Sequence, residues 1–245
     1  LTFDAHPRSS LIVALDFDSL STALKFAEKV ADLVGMFKIG SQLFTTAGPE
    51  AVRQIAKLSS DIFLDLKFHD IPNTVAGAVL ASAALPGVQL VNVHALGGTA
   101  MMRAAAQAVS AGVPMGADRT RLLAVTLLTS MDSQAVREVG ISGPPNSRVV
   151  KLAKLAQKAG VDGVVASVQE AKAIRKACGS EFLIVTPGVR PKAADLKKDD
   201  QARTATPREA IRAGADFIVV GRPILAATDP RAAAQEIVDE IAAAK

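Results

Sequence analysis

The chain has 245 residues, 49% of them hydrophobic and 21% charged, with a formal net charge of +4. That length suffices for one α/β barrel as a single domain over residues 1–245, and no apolar run approaches the roughly 20 residues that a bilayer-spanning helix needs, so no membrane partner is expected. A lone cysteine, Cys178, excludes an internal disulfide, and the opening LTFDAHPRSS lacks the basic, apolar and small-residue succession of a secretory leader, so a reducing cytoplasm is expected.

In chain order, eight short apolar runs alternate with helical patterns: LIVALDF (11–17), MFKIG (36–40), DIFLDLK (61–67), VQLVNVHA (88–95), RLLAVTLL (121–128), GVVAS (163–167), EFLIVTPG (181–188) and FIVVGRPI (217–224). Their continuous apolar character, in place of in-out alternation, is what strands buried on both faces require, and the intervening helices imply parallel order. Ala159–Val165 (AGVDGVV) echoes Ala213–Val219 (AGADFIV), each with a glycine past a helix and before a strand, where a left-handed cap is cheapest. Eight units of about 30 residues describe a (β/α)8 barrel with its active site at the C-terminal strand ends. The doubly wound alternative lacks the G-x-G-x-x-G that should follow its first strand. Two connections are long, Thr129 to about Asn146 and Val189 to about Thr206; the first has room for a short helix, and the second reads as a lid or binding loop.

Charge gathers at the strand ends. Side chains two apart on a strand share a face, which pairs Asp65 with Lys67. The first strand ends in Asp16 and Asp18 and the second carries Lys38, so Asp16, Lys38, Asp65 and Lys67 can form one array of alternating sign. Each pair alone could be a structural ion pair. Four at one rim are costly to bury and point to function. A lysine between carboxylates keeps its proton, which suits proton donation and not Schiff-base formation.

Basic residues concentrate from Arg190 to Arg222, including Lys192, Lys197, Lys198, Arg203, Arg208 and Arg212. With no Tyr or Trp to stack on bases, this fits a small anion better than a nucleic acid. Barrels often bind phosphate with the loops after strands 7 and 8, which here carry Arg190 and Gly221-Arg222: forked guanidinium donors, and a glycine that lets backbone N–H groups come close. His69 and His94 read as structural, Cys178 as helix packing, and no cluster has the spacing of a metal site.

Asp65-x-Lys67-x-x-Asp70 within DLKFHDIPNT resembles the signature of the orotidine 5'-phosphate decarboxylases. LDFD, FKIG, VHALGG, VTLLTSM, TPGVRP, Asp200-Gln201 and VVGRPI follow in that family's order over nearly the whole chain, with Leu96 standing where the family often has a small polar residue. The resemblance implies cofactor-free decarboxylation of orotidine 5'-monophosphate in pyrimidine biosynthesis, with Lys67 protonating C6 and Asp65 facing the departing carboxylate. It implies ribose contacts from Asp16 and Lys38, and a homodimer in which Asp70 and Thr74 reach the neighbouring site. It further implies that Thr129, at the end of strand 5, reads the pyrimidine edge, with Ser130 nearby. Gln201 would close over a phosphate held by Arg190, Gly221 and Arg222. Two other readings stand beside it: a magnesium-dependent sugar-phosphate decarboxylase or aldolase sharing D-x-K-x-x-D, and a non-catalytic protein that binds phosphate ligands or nucleic acid.

Overall fold

A computed structural model describes residues 6–58, 61–112, 119–191 and 205–245. Eight parallel strands close in sequence order: β1 (Leu11–Ala14), β2 (Met36–Gly40), β3 (Asp61–Phe68), β4 (Val88–His94), β5 (Arg121–Val125), β6 (Gly163–Val165), β7 (Leu183–Thr186) and β8 (Phe217–Val220), with β8 returning to β1. Helices separate consecutive strands, so the expected (β/α)8 barrel is the observed fold.

The alternation of side chains across each strand divides the apolar residues into two layers. Ile12, Ala14, Met36, Phe63, Leu90, Leu123, Val185, Phe217 and Val219 fill the barrel's interior. Their neighbours in the chain, such as Val13, Phe37, Leu64, Val91 and Leu122, pack outward beneath the helices. Both faces are therefore buried, and this is why the strands read as unbroken apolar runs.

The repeated AGxD segments have one physical job. Gly160 and Gly214 both take positive φ, 86° and 100°, ending a helix as expected. The aspartate two residues on then ties adjacent strand entries together. Asp162 accepts the Leu122 N–H at 2.8 Å and pairs with Arg119, while Asp216 accepts the Ile184 N–H at 2.7 Å and pairs with Arg175 at 2.7 Å. These aspartates work at the barrel floor, away from the strand ends where charge gathers.

Both long connections depart from simple loops. The first contains the helix Ser133–Glu138, capped by Asp132, whose side chain accepts the Gln134 and Ala135 N–H groups. The ends of the second are drawn together: Val189 and Ala205 form a parallel bridge, and the Arg190 N–H donates to the Ala205 carbonyl at 2.9 Å. Its interior, with Lys192, Lys197, Lys198, Gln201 and Arg203, lies outside the described residues.

Candidate active site

The inward-facing row of each early strand changes character as it nears the C-terminal rim. Ile12 and Ala14 are followed two residues on by Asp16, Met36 by Lys38, Phe63 by Asp65 and Leu90 by Asn92. The topmost layer of the barrel's filling is thus polar. Lys38, Asp65 and Asn92 are all buried.

These groups join in a chain of opposite charges. Lys38 Nζ lies 3.3 Å from Asp16 Oδ1 and 3.3 Å from Asp65 Oδ2, and Lys67 Nζ lies 2.7 Å from Asp65 Oδ1. Burial, the largest single influence on Lys38, pushes its pKa down, but Asp65 and Asp16 outweigh it and the net shift is upward. Burial likewise acts most strongly on Asp65, raising it, yet Lys38 and Lys67, with hydrogen bonds from Lys67 and Asn92, leave its carboxyl below the usual range. Lys38 is therefore an ammonium and Asp65 a carboxylate at neutral pH. Gly40, paired with Asp65 in the β2–β3 register, keeps this space open, since a Cβ there would sit 2.8 Å from Lys38 Nζ.

Lys67 reaches the array by a route that plain strand alternation does not describe. Between the pairs Leu64–Val91 and Phe68–Val93, β3 runs through Asp65, Leu66 and Lys67 while β4 supplies Asn92 alone. In this bulge Lys67 has φ 51°, alone among the described non-glycine residues in having positive φ. Asn92 was not singled out from the sequence. It accepts the Lys67 N–H at 2.8 Å and donates to Asp65 Oδ1 at 2.7 Å. The available signal was its position two residues past the inward-facing Leu90.

A cavity of about 290 Å³ opens over the array, lined by Asp16, Lys38, Asp65 and Lys67 together with Thr129, Arg190, Gly221 and Arg222. Val165 and Val219 form part of its floor. Thr129 comes from a different place than expected, since β5 ends at Val125 and Thr129 lies four residues beyond it, in the connection leading to Asp132. Ser130 also lines the cavity. Arg190 and Gly188 follow β7, and Gly221 and Arg222 follow β8, so the two basic loops line the same cavity as the lysine array.

Asp70 and Thr74 are not among the cavity-lining residues. Both are exposed, and the Asp70 carboxylate accepts the Ile71 N–H at 2.6 Å. Gln201 lies outside the described residues. His69 and His94 stack on one another, with ring centroids 5.5 Å apart and planes 18° apart. Burial first, then the neighbouring His69 and Lys67, hold His94 below the ordinary histidine range, so its ring is neutral at pH 7. Its Nδ1 accepts the Leu96 N–H at 3.3 Å.

The sequence matches the family model described as Orotidine 5'-phosphate decarboxylase / HUMPS family over residues 9–237. A protein of Trichlorobacter lovleyi named orotidine 5'-phosphate decarboxylase is 55% identical over 236 residues, covering 96% of each chain. Among solved structures, the orotidine 5'-phosphate decarboxylase of Lactobacillus acidophilus is 41% identical, with a TM-score of 0.82 over 94% of this chain and 98% of that one. The enzyme of that name from Pyrococcus horikoshii OT3 is 25% identical, with a TM-score of 0.76 over 95% and 99%. Taken with the barrel and the charged array at its rim, these matches show that the chain belongs to the orotidine 5'-phosphate decarboxylase / HUMPS family.

Proposed function

We propose that this protein converts orotidine 5'-monophosphate to uridine 5'-monophosphate and carbon dioxide without a cofactor, using Lys67 as the proton donor. The observation that carries this reading is the Lys67 ammonium held 2.7 Å from Asp65 in a cavity that Arg190 and Arg222 also line. The nucleotide lies across the opening. Its phosphate meets the two guanidinium groups and Gly221, and its ribose meets Asp16 and Lys38. Thr129 reads the pyrimidine edge.

The C6 carboxylate then lies beside Asp65. As the bond from C6 to the carboxylate carbon breaks, carbon dioxide departs and the electron pair stays on C6. The Lys67 ammonium stabilises that charge and delivers its proton to C6, and the resulting amine recovers a proton from solvent. Fixed charge aimed where negative charge develops is usually the largest catalytic contribution. Binding energy from the distant phosphate supports closure and exclusion of water.

A magnesium-dependent reaction is less well supported, because the central carboxylate is already committed. Asp65 Oδ1 receives Lys67 and Asn92, and Oδ2 faces Lys38. The test follows pyrimidine absorbance with orotidine 5'-monophosphate, with and without a chelator. Chelator-insensitive turnover is expected; inactivation by chelator, or no turnover, refutes this reading.

A homodimer also follows from the proposal. The helix Pro72–Ala83 buries only Val75, Val79 and Ser82, leaving Ile71 66% and Leu80 43% exposed beside Asp70 and Thr74. A second copy would cover this apolar face and bring Asp70 and Thr74 to the neighbouring cavity. No helix among the described residues is long and apolar enough to cross a membrane. The single cysteine suits a cytoplasmic location.

A further inference from the structure

We infer that Asn92 is a positioning residue for the decarboxylation, holding Lys67 in its left-handed backbone conformation and fixing Asp65 against the Lys67 ammonium. This rests on the reading of Lys67 as proton donor. The side chain is fully buried inside the barrel, above Leu90 and beside Leu123 in the β4–β5 register. It occupies the place where β4 has one residue to set against three of β3, so backbone pairing alone cannot satisfy the bulge. Its amide supplies the missing partners. The oxygen accepts the Lys67 N–H at 2.8 Å, and the NH2 donates to Asp65 Oδ1 at 2.7 Å. The chemistry fixes the amide's orientation, since a backbone N–H must meet the oxygen and a carboxylate must meet the NH2.

A non-glycine residue at positive φ is disfavoured by about 1–2 kcal/mol unless its surroundings hold it there. At Lys67 the bond to Asn92 does so, and the same amide ties the carboxylate that directs the lysine's other end. No other residue of that size offers an acceptor and a donor in this arrangement without first taking up a proton. Leucine leaves the Lys67 N–H without its acceptor and takes away one of the two donors to Asp65 Oδ1, and aspartate presents a second carboxylate to Asp65. The titratable groups around this amide are Asp65 and Lys67 on β3, Lys38 of β2 through Asp65, and, two residues along β4, the neutral His94. β5 presents Leu123.

The test compares wild type, Asn92→Leu and Asn92→Asp, with melting curves to establish that each is folded. A displacement of the donor by about 1 Å should lower kcat by roughly 10²-fold, with KM changed by less than about threefold because the phosphate and ribose contacts remain. Asn92→Asp adds a signature that a merely structural role would not produce. Burial and the facing Asp65 raise the pKa of the introduced carboxyl. When protonated it can donate to Asp65 and accept from Lys67, so kcat should be highest at low pH and fall as pH rises through that raised value. A second readout needs no turnover: acylation of Lys67 by acetic anhydride, read by mass spectrometry, should rise several-fold in Asn92→Leu as the ion pair loosens. Wild-type kcat in both folded variants, or unchanged Lys67 labelling, overturns the inference. A wild-type protein that fails to turn over orotidine 5'-monophosphate sinks the proposed reaction instead, and the labelling result still decides the role of Asn92.

Discussion

Lys38→Met removes the central cation of the array while keeping most of its volume. Lys38 Nζ lies 3.3 Å from both Asp16 Oδ1 and Asp65 Oδ2, but the Asp16 side chain is 49% exposed and solvent screens that contact. The Asp65 contact is the consequential one. At 3.3 Å and an effective dielectric of about 20, its gross attraction is about 5 kcal/mol. Lys67 and Asn92 still serve the carboxylate in the variant, so the net loss should fall near the low end for a broken buried pair, about 3 kcal/mol. The pH dependence has a definite sign. The pKa of Asp65 is depressed on folding, so its contribution is present above the unfolded value and is lost as pH falls through the folded one. Removing Lys38 raises that folded value, and acid sensitivity should begin at higher pH. Lys38 itself is shifted upward; its contribution is full below its unfolded value of about 10.4 and fades at more alkaline pH, a loss the variant should lack. Urea unfolding over a pH series, alongside kcat, measures both effects. A variant within about 1 kcal/mol of wild type at every pH, with the acid limb of activity unmoved, would refute the reasoning.

Gly40→Ala should lower kcat with little change in melting temperature, because its Cβ would meet side-chain ends alone, Lys38 Nζ at 2.8 Å and Asp16 Oδ1 at 3.5 Å, and would displace the lysine's charge without disturbing the backbone; steady-state kinetics and a melting curve check this. Arg222→Ala should weaken substrate binding by about 10- to 100-fold through the loss of a charge-assisted phosphate contact, and orotidine lacking the phosphate should be nearly indifferent to the change. Ile71→Asp places a charge on the exposed apolar face beside Asp70, so sedimentation should show a shift from dimer to monomer, accompanied by loss of activity.

The barrel was legible because burial on both faces leaves a plain mark in the chain. The runs around Ile12, Phe37, Leu64 and Val219 have no polar face to alternate with. The paired glycines at 160 and 214 likewise announced their left-handed caps. Much of the site was legible for a related reason, since charges such as Lys38 and Asp65 interrupt inward-facing apolar rows. The route by which Lys67 reaches Asp65 was not. Alternation gave the right neighbours, but the backbone bulges and reverses its φ at Lys67, and nothing local in DLKFHD marks that. Asn92 was hidden because its role depends on the register between two strands. Thr129 was assigned to the end of a strand because the apolar residues Leu127 and Leu128 prolong the run, although pairing stops at Val125.

The most direct test of the central claim is the single-turnover rate of Lys67→Ala with orotidine 5'-monophosphate, measured with the affinity of the variant for uridine 5'-monophosphate. A fall of at least about 10³-fold in rate with product still bound is the predicted result. A rate within tenfold of wild type would contradict the assignment of Lys67 as the group that delivers the proton to C6.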